Sequence, residues 1–220
     1  MSGATPPPSI CIVTRGRGTS GSDDRVKLVG RLAAAARAGA DMIQIRERHF
    51  DDRSLLQFAR EVIDAMRPFS TRVLINERTD VALASGADGV HLKSDGPAVL
   101  DVRRIVPDGF LIGRSVHSER EGQVVESAGG CDYLLFGTVF RSPSKPDDHR
   151  LAGPEGLRGI CASVSLPVIA IGGISVARVQ DVRAAGASGI AAISLFAEAP
   201  DIAAVTASIR HALTLPSGNV

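Results

Sequence analysis

Ser85-Gly-Ala-Asp-Gly-Val-His-Leu92 reads as a helix end, a glycine that turns the chain, and a short apolar strand. The junction recurs as Ala38-Gly-Ala-Asp41, Ala128-Gly-Gly-Cys-Asp132 and Ala185-Gly-Ala-Ser188. Glycine at the position after a helix supplies the left-handed turn that other residues adopt at a cost. Each junction leads into an apolar run, and a second helix and strand separate one junction from the next. The repeating unit is therefore two βα units, a quarter of a closed barrel.

Working outward from these junctions, strands are expected at Ile10–Val13, Asp41–Arg46, Val73–Asn76, Gly89–Leu92, Leu111–Ser115, Tyr133–Phe136, Pro167–Ile171 and Gly189–Ile193. They are short and apolar on both faces, as in parallel sheets covered by helices. Between them, helical spacing predicts Asp23–Ala38, Asp52–Met66, Asp80–Ser85, Pro97–Ile105, a Ser118-capped helix to Ser127, Pro154–Ala162, a Ser175-capped helix to Ala185, and Asp201–Leu213. Eight βα units in 220 residues predict a single-domain (β/α)8 TIM barrel over residues 10–214, with a doubly wound open sheet as the structural alternative. Residues 1–9 read as a disordered Pro-rich lead without the character of a signal peptide, and residues 215–220 as a loose tail.

Composition narrows the function classes. The net charge of +1 offers no basic field for nucleic acid or a membrane surface, and no stretch reaches the length of a membrane span. Cys11, Cys131 and Cys161 are scattered in apolar surroundings and read as buried free thiols of a cytoplasmic protein. The oligomeric state, homo-oligomer included, is left open.

Active sites of such barrels lie where the strands end. Gln44 and Arg46 share one face of strand two, strand three ends in Asn76-Glu77, strand four carries His91 and strand five ends in Ser115. Strand six leads through Gly137 into a loop with Ser142, Ser144 and Lys145, whose hydroxyls and ammonium suit phosphate or pyrophosphate. Gly172-Gly173 after strand seven and Ser194 after strand eight suit the phosphate cradle of this fold. Each has a plainer reading: a rim ion pair for Arg46 and Glu47, a structural histidine for His91, a cap for His117, a tight turn for the glycine pair. Six strand ends carrying such groups at one mouth favour a site. The loops Arg15–Ser22 and Arg141–Leu151 are candidate lids.

With these motifs in order, the chain resembles the thiamine-phosphate synthase and thiazole tautomerase family over residues 10–210. Gln44-Ile-Arg-Glu-Arg48 is similar to the synthase motif Gln-x-Arg-Glu-Lys, and Ile75-Asn76-Glu77 to its Asn-Asp. Gly86-Ala-Asp-Gly-Val-His-Leu92 and Ile171-Gly-Gly-Ile174 match as they stand, and Ser142-Pro-Ser-Lys145 resembles Thr-x-Thr-Lys. The resemblance implies coupling of an aminopyrimidine pyrophosphate to a thiazole phosphate with release of pyrophosphate. It implies that Arg46, Arg48, Lys145 and Mg²⁺ stabilise the leaving group, and that Gln44, Asn76, His91 and Ser115 surround the pyrimidine. Ser142, Ser144, Gly173, Ile193 and Ser194, with Pro143 and Gly172 beside them, would hold the thiazole phosphate and the neighbouring pyrophosphate.

The chain departs from the family pattern at the metal. The first carboxylate is Glu77, and the second falls on Gly96, next to Asp95. Either Glu77 and Asp95 hold Mg²⁺, or Lys93 replaces part of its charge. Ile112-Gly-Arg-Ser-Val-His-Ser118 and Tyr133-Leu-Leu-Phe-Gly137 look more like the tautomerase branch, yet the position of that branch's histidine is Thr138. The two alternatives to a synthase are thus a metal-free tautomerase using His91 or Glu77 as acid or base, and a non-catalytic barrel that binds a pathway phosphate.

Overall fold

A computed structural model describes residues 9–15, 22–142, 146 and 150–215. The lead up to residue 8, most of the first candidate lid, part of the second, the tail beyond Leu215, and the expected site residues Pro143, Ser144 and Lys145 lie outside them.

Eight parallel strands close in chain order into a barrel: β1 Ser9–Val13, β2 Met42–Ile45, β3 Arg72–Asn76, β4 Gly89–Leu92, β5 Leu111–Val116, β6 Tyr133–Phe136, β7 Val168–Ile171 and β8 Gly189–Ala192. Closure is made by β1 on β8, with Ser9 opposite Gly189 and Cys11 opposite Ala191. Ser9 is therefore part of the sheet, one residue inside the lead read from the sequence. The helices outside the strands are α1 Ser22–Arg37, α2 Asp52–Met66, α3 Thr79–Ser85, α4 Val99–Arg103, α5 Glu119–Ala128, α6 Gly153–Ser163, α7 Val179–Ala184, α8 Ser194–Ala197 and α9 Ile202–Thr214.

Two apolar layers follow from the strand alternation. One lies between strands and helices and includes Phe58, Leu134, Ile160 and Phe196. The other fills the barrel itself, with Cys11, Met42, Leu74, Tyr133, Leu135 and Ile169. These side chains pack the barrel interior, and in this fold the chemistry lies at the carboxyl end of the strands.

The repeated junction is structural, as its glycines suggest: Gly39, Gly86, Gly129 and Gly186 all have positive φ. The aspartates beside them have a role that the sequence reading did not assign. Asp41, Asp88 and Asp132 each accept, through Oδ2, a backbone N–H at the start of the preceding odd strand: Ile10 at 2.6 Å, Val73 at 2.7 Å and Ile112 at 2.6 Å. Each carboxylate also meets an arginine: Arg210, Arg72 and Arg103 in turn. The quarter-barrel unit is thus closed on itself at the foot of the sheet.

Two helix starts differ from expectation. Pro97 precedes α4 instead of opening it, because the Arg114 guanidinium binds the carbonyls of Ser94 and Pro97 (both 2.7 Å) and holds that segment as a loop. Ser175 occupies the N-cap position of a 3₁₀ turn, Val176–Arg178, without a side-chain cap bond. Ser118 caps α5 as read, accepting from the Glu121 N–H at 3.2 Å. The three cysteines are free; Cys11 and Cys131 are buried and Cys161 is half-buried. Burial pushes the Cys11 thiol up to about 12 and the other two to about 11, so all three stay protonated. Among the described residues no helix is long and apolar enough to cross a membrane.

Candidate active site

The strand ends open into one cavity of about 460 Å³. Every described residue that the sequence marked as catalytic or substrate-binding lines it, from Gln44 and Arg46 on the β2 side to Ile193 and Ser194 after β8. Val13, Leu135 and Ile171, from the apolar filling of the barrel, form its floor.

Polar side chains join the first strands along the rim. The Arg46 N–H donates to Thr14 Oγ1 at 2.9 Å, tying the end of β2 to that of β1. Gln44 Nε2 donates to Asn76 Oδ1 at 2.7 Å, and Asn76 Nδ2 donates to Glu77 Oε2 at 3.0 Å. Glu77 Oε1 in turn lies 2.6 Å from Lys93 Nζ. Gln44 is buried and its Oε1 has no partner, so an acceptor is left waiting at the mouth. Burying an unsatisfied carbonyl costs free energy that a ligand N–H would recover.

His91 is buried between two hydroxyls. Its Nδ1 lies 3.1 Å from Tyr133 Oη and its Nε2 2.8 Å from Ser115 Oγ. Burial, with a smaller contribution from Arg114, holds its pKa down to about 3. His91 is thus a neutral hydrogen-bonding group at physiological pH, and the acid or base role considered from the sequence does not suit it. The Tyr133 phenol is pushed well above its ordinary value by burial, so this hydroxyl keeps its proton.

The wall of the cavity is cationic. Arg46, Arg48, Lys93 and Arg141 line it, and no carboxylate does among the described residues. Burial and the neighbouring Arg48 lower the Arg46 pKa, with Glu47 and Glu77 opposing. Glu47 does not form the rim ion pair considered from sequence: it is buried, its Oε1 lacks a partner, and desolvation raises its pKa.

On the opposite side Gly173 has φ +61° and packs so closely on the carbonyls of Phe140 and Arg141 that a Cβ would collide with both. Arg178 reinforces the contact by donating to Gly173 O at 2.7 Å while lying over the Phe140 ring. The glycine pair therefore seats the loop after β6 as well as lining the mouth. Sequence reasoning missed Arg141 and the floor residues. It left His117 undecided, although His117 continues the inward parity of Ser115. The structure brings the His117 ring to the mouth, with Nδ1 2.5 Å from Gly137 O.

A family profile described as thiamine monophosphate synthase matches residues 12–196. The chain belongs to that family. It is 43% identical over 197 residues to the thiamine-phosphate synthase of Methanoculleus marisnigri, covering 90% of each chain. It is 40% identical over 180 residues to that of Chloroflexus aurantiacus, covering 81% of this chain and 82% of the relative. The solved thiamine phosphate pyrophosphorylase from Pyrococcus furiosus superposes with a TM-score of 0.80 at 33% identity, over 93% of this chain and 95% of that one. These names favour the synthase reading over the tautomerase and the non-catalytic barrel.

The two carboxylates expected to hold a metal have other surroundings in this chain. Glu77 already carries the Lys93 ammonium, and Asp95 lines an adjoining depression with Arg114 and Arg120 that shares Ser94 and Ser115 with the cavity. Among the described residues no group of three histidines, cysteines or carboxylates could hold a metal ion. Mg²⁺ seeks oxygen ligands at strict octahedral geometry. A wall of three guanidiniums and an ammonium does not fit that demand, and Glu77, expected as a metal ligand, is paired with the ammonium.

Proposed function

We propose that this chain is a thiamine-phosphate synthase, coupling an aminopyrimidine-methyl pyrophosphate to a thiazole phosphate. The thiazole ring nitrogen forms a new C–N bond to the pyrimidine methylene carbon. The C–O bond to pyrophosphate breaks, and the electron pair leaves with the pyrophosphate. The observation that carries the reading is the cationic wall, without a carboxylate among the described residues, above an apolar floor, a shape suited to flat rings bearing phosphates.

The side chains divide the work. Gln44 Oε1 accepts an N–H of the exocyclic amine, and the bond from Gln44 Nε2 to Asn76 holds the amide in that orientation. His91, neutral and held by Tyr133 and Ser115, keeps the pyrimidine side rigid. Arg46, Arg48 and Arg141 face the pyrophosphate, where fixed positive charge stabilises the charge that develops as the bond breaks. Ser142 lines the cavity with them, and the family resemblance assigns Pro143, Ser144 and Lys145 to the same phosphates. Gly172, Gly173, Ile193 and Ser194 form the opposite side, for the thiazole phosphate. The floor excludes water from the methylene carbon, which prevents hydrolysis of the activated pyrimidine.

The test is pyrophosphate release measured with each substrate alone and with both together. Release that requires both supports the synthase. Absence of release at high enzyme concentration would end that reading.

A further inference from the structure

We propose that the Lys93 ammonium, positioned by Glu77, is a built-in counter-charge for the departing pyrophosphate, so that this chain works without a divalent cation at that site. The inference rests on the synthase reading and extends it to the ion that assists the leaving group.

Three observations carry it. Lys93 follows His91 at the inward parity of β4 and lines the cavity beside Ser94. Its Nζ lies 2.6 Å from Glu77 Oε1, with 43% and 33% of the two side chains exposed, so the pair is neither buried away from a ligand nor loose on the surface. Glu77 itself is fixed: its second oxygen accepts from Asn76, its N–H donates to His91 O at 2.8 Å, and it is the non-glycine residue with positive φ, at +64°, among those described. Backbone strain of that kind persists where surrounding contacts over-determine it.

An ion pair on an ordinary rim would leave room for the alternative that Glu77 is a metal ligand and Lys93 a bystander. The lining argues otherwise. A divalent ion placed at Glu77 would have to displace the ammonium and then face Arg46, Arg48 and Arg141 without a carboxylate in the described lining. A pyrophosphate there meets four cations directly. As the C–O bond breaks, the added charge settles on the departing oxygen; an ammonium, as a compact point charge with three donors, can follow it without a proton being transferred. Glu77 acts as a positioning residue, limiting where the flexible lysine can go.

The experiment is calorimetric binding of inorganic pyrophosphate to the full chain, in excess chelator and in millimolar Mg²⁺, for the wild type, Lys93→Met and Glu77→Gln. The expected result is wild-type affinity in chelator within about threefold of that in Mg²⁺, and a loss of tenfold or more for Lys93→Met in chelator. Glu77→Gln should bind pyrophosphate in chelator at least as well as the wild type, since it removes a negative charge and leaves the ammonium. A wild type that binds pyrophosphate only with Mg²⁺ would overturn the proposal, as would Lys93→Met binding unchanged in chelator. Loss of Mg²⁺-dependent binding in Glu77→Gln would identify Glu77 as a metal ligand and overturn it too. Metal-free pyrophosphate binding without coupling of the two substrates would sustain Lys93 as an anion-binding group while ending the synthase reading.

Discussion

The His91 and Tyr133 rings stack at 29° with centroids 5.7 Å apart, their Nδ1 and hydroxyl atoms in hydrogen-bond contact at the upper edge of the barrel filling. The imidazole is held at a pKa of about 3 by burial, far below the ordinary imidazole value of 6.5. Between those values the unfolded chain binds a proton that the folded chain refuses. Stability from this group is therefore complete above about pH 6.5 and is lost as pH falls toward 3, with a limiting slope of about 1.4 kcal/mol per pH unit. Urea midpoints of the wild type between pH 7.5 and 4.5 should show this slope, and His91→Gln should flatten it. The His91 imidazole resonances should not titrate between pH 8 and 5. A titration near 6.5 would show that the ring is not desolvated as described.

The same stack depends on Gly113. On β5 it stands beside both His91 and Tyr133, and a Cβ there would run into the phenol ring. Gly113→Ala should destabilise by about 1–3 kcal/mol through overpacking. It should also raise KM for the pyrimidine substrate, since the displaced phenol takes His91 with it. Tyr133→Leu combined with Gly113→Ala should recover stability relative to Gly113→Ala alone, but not KM. Additive losses in a double-mutant cycle would show that the two positions are uncoupled.

The barrel could be read from the chain because its signals are local. The junction glycines repeat at the foot, and period-two alternation puts Gln44 and Arg46, then His91 and Lys93, on the inward face of their strands. The parts that escaped depend on pairings across long stretches. That Asp95 lines a depression beside the cationic mouth, and not the mouth itself, follows from how Arg114, almost twenty residues later, pins the carbonyls of Ser94 and Pro97. That Glu77 faces an ammonium follows from β3 lying beside β4 and from one left-handed residue. Neither is visible in residue spacing. His117 and Arg141 reach the mouth from beyond the strand ends, where parity is a weaker guide.

The junction aspartates provide a test of stability separate from catalysis. Asp88 accepts the Val73 N–H at 2.7 Å, and Val73 is buried, so Asp88→Ala leaves that donor without its partner. The expected cost is about 1–3 kcal/mol. The residue is at the foot of the barrel, opposite the mouth, so kcat and KM at 20 °C should match the wild type within about twofold while the urea midpoint drops. A specific loss of activity with an unchanged midpoint would mean that the foot communicates with the site.

Arg46 is a cation of the wall whose backbone is anchored at a strand end. Its backbone is tied to Thr14, and its guanidinium is half-buried, with a pKa lowered first by desolvation and then by Arg48. On the proposed function, a half-buried guanidinium at a leaving pyrophosphate acts in a lower-dielectric setting than water and should contribute mainly to the transition state. Arg46→Ala should lower kcat/KM by roughly 10²-fold or more, most of it in kcat. Arg46→Lys should recover only part of this, because a point charge cannot present the two parallel N–H bonds of a guanidinium. Steady-state kinetics with both substrates saturating separates the cases. If Arg46→Lys were fully active, a diffuse positive field would suffice; if Arg46→Ala changed KM alone, Arg46 would bind the substrate pyrophosphate without favouring its departure.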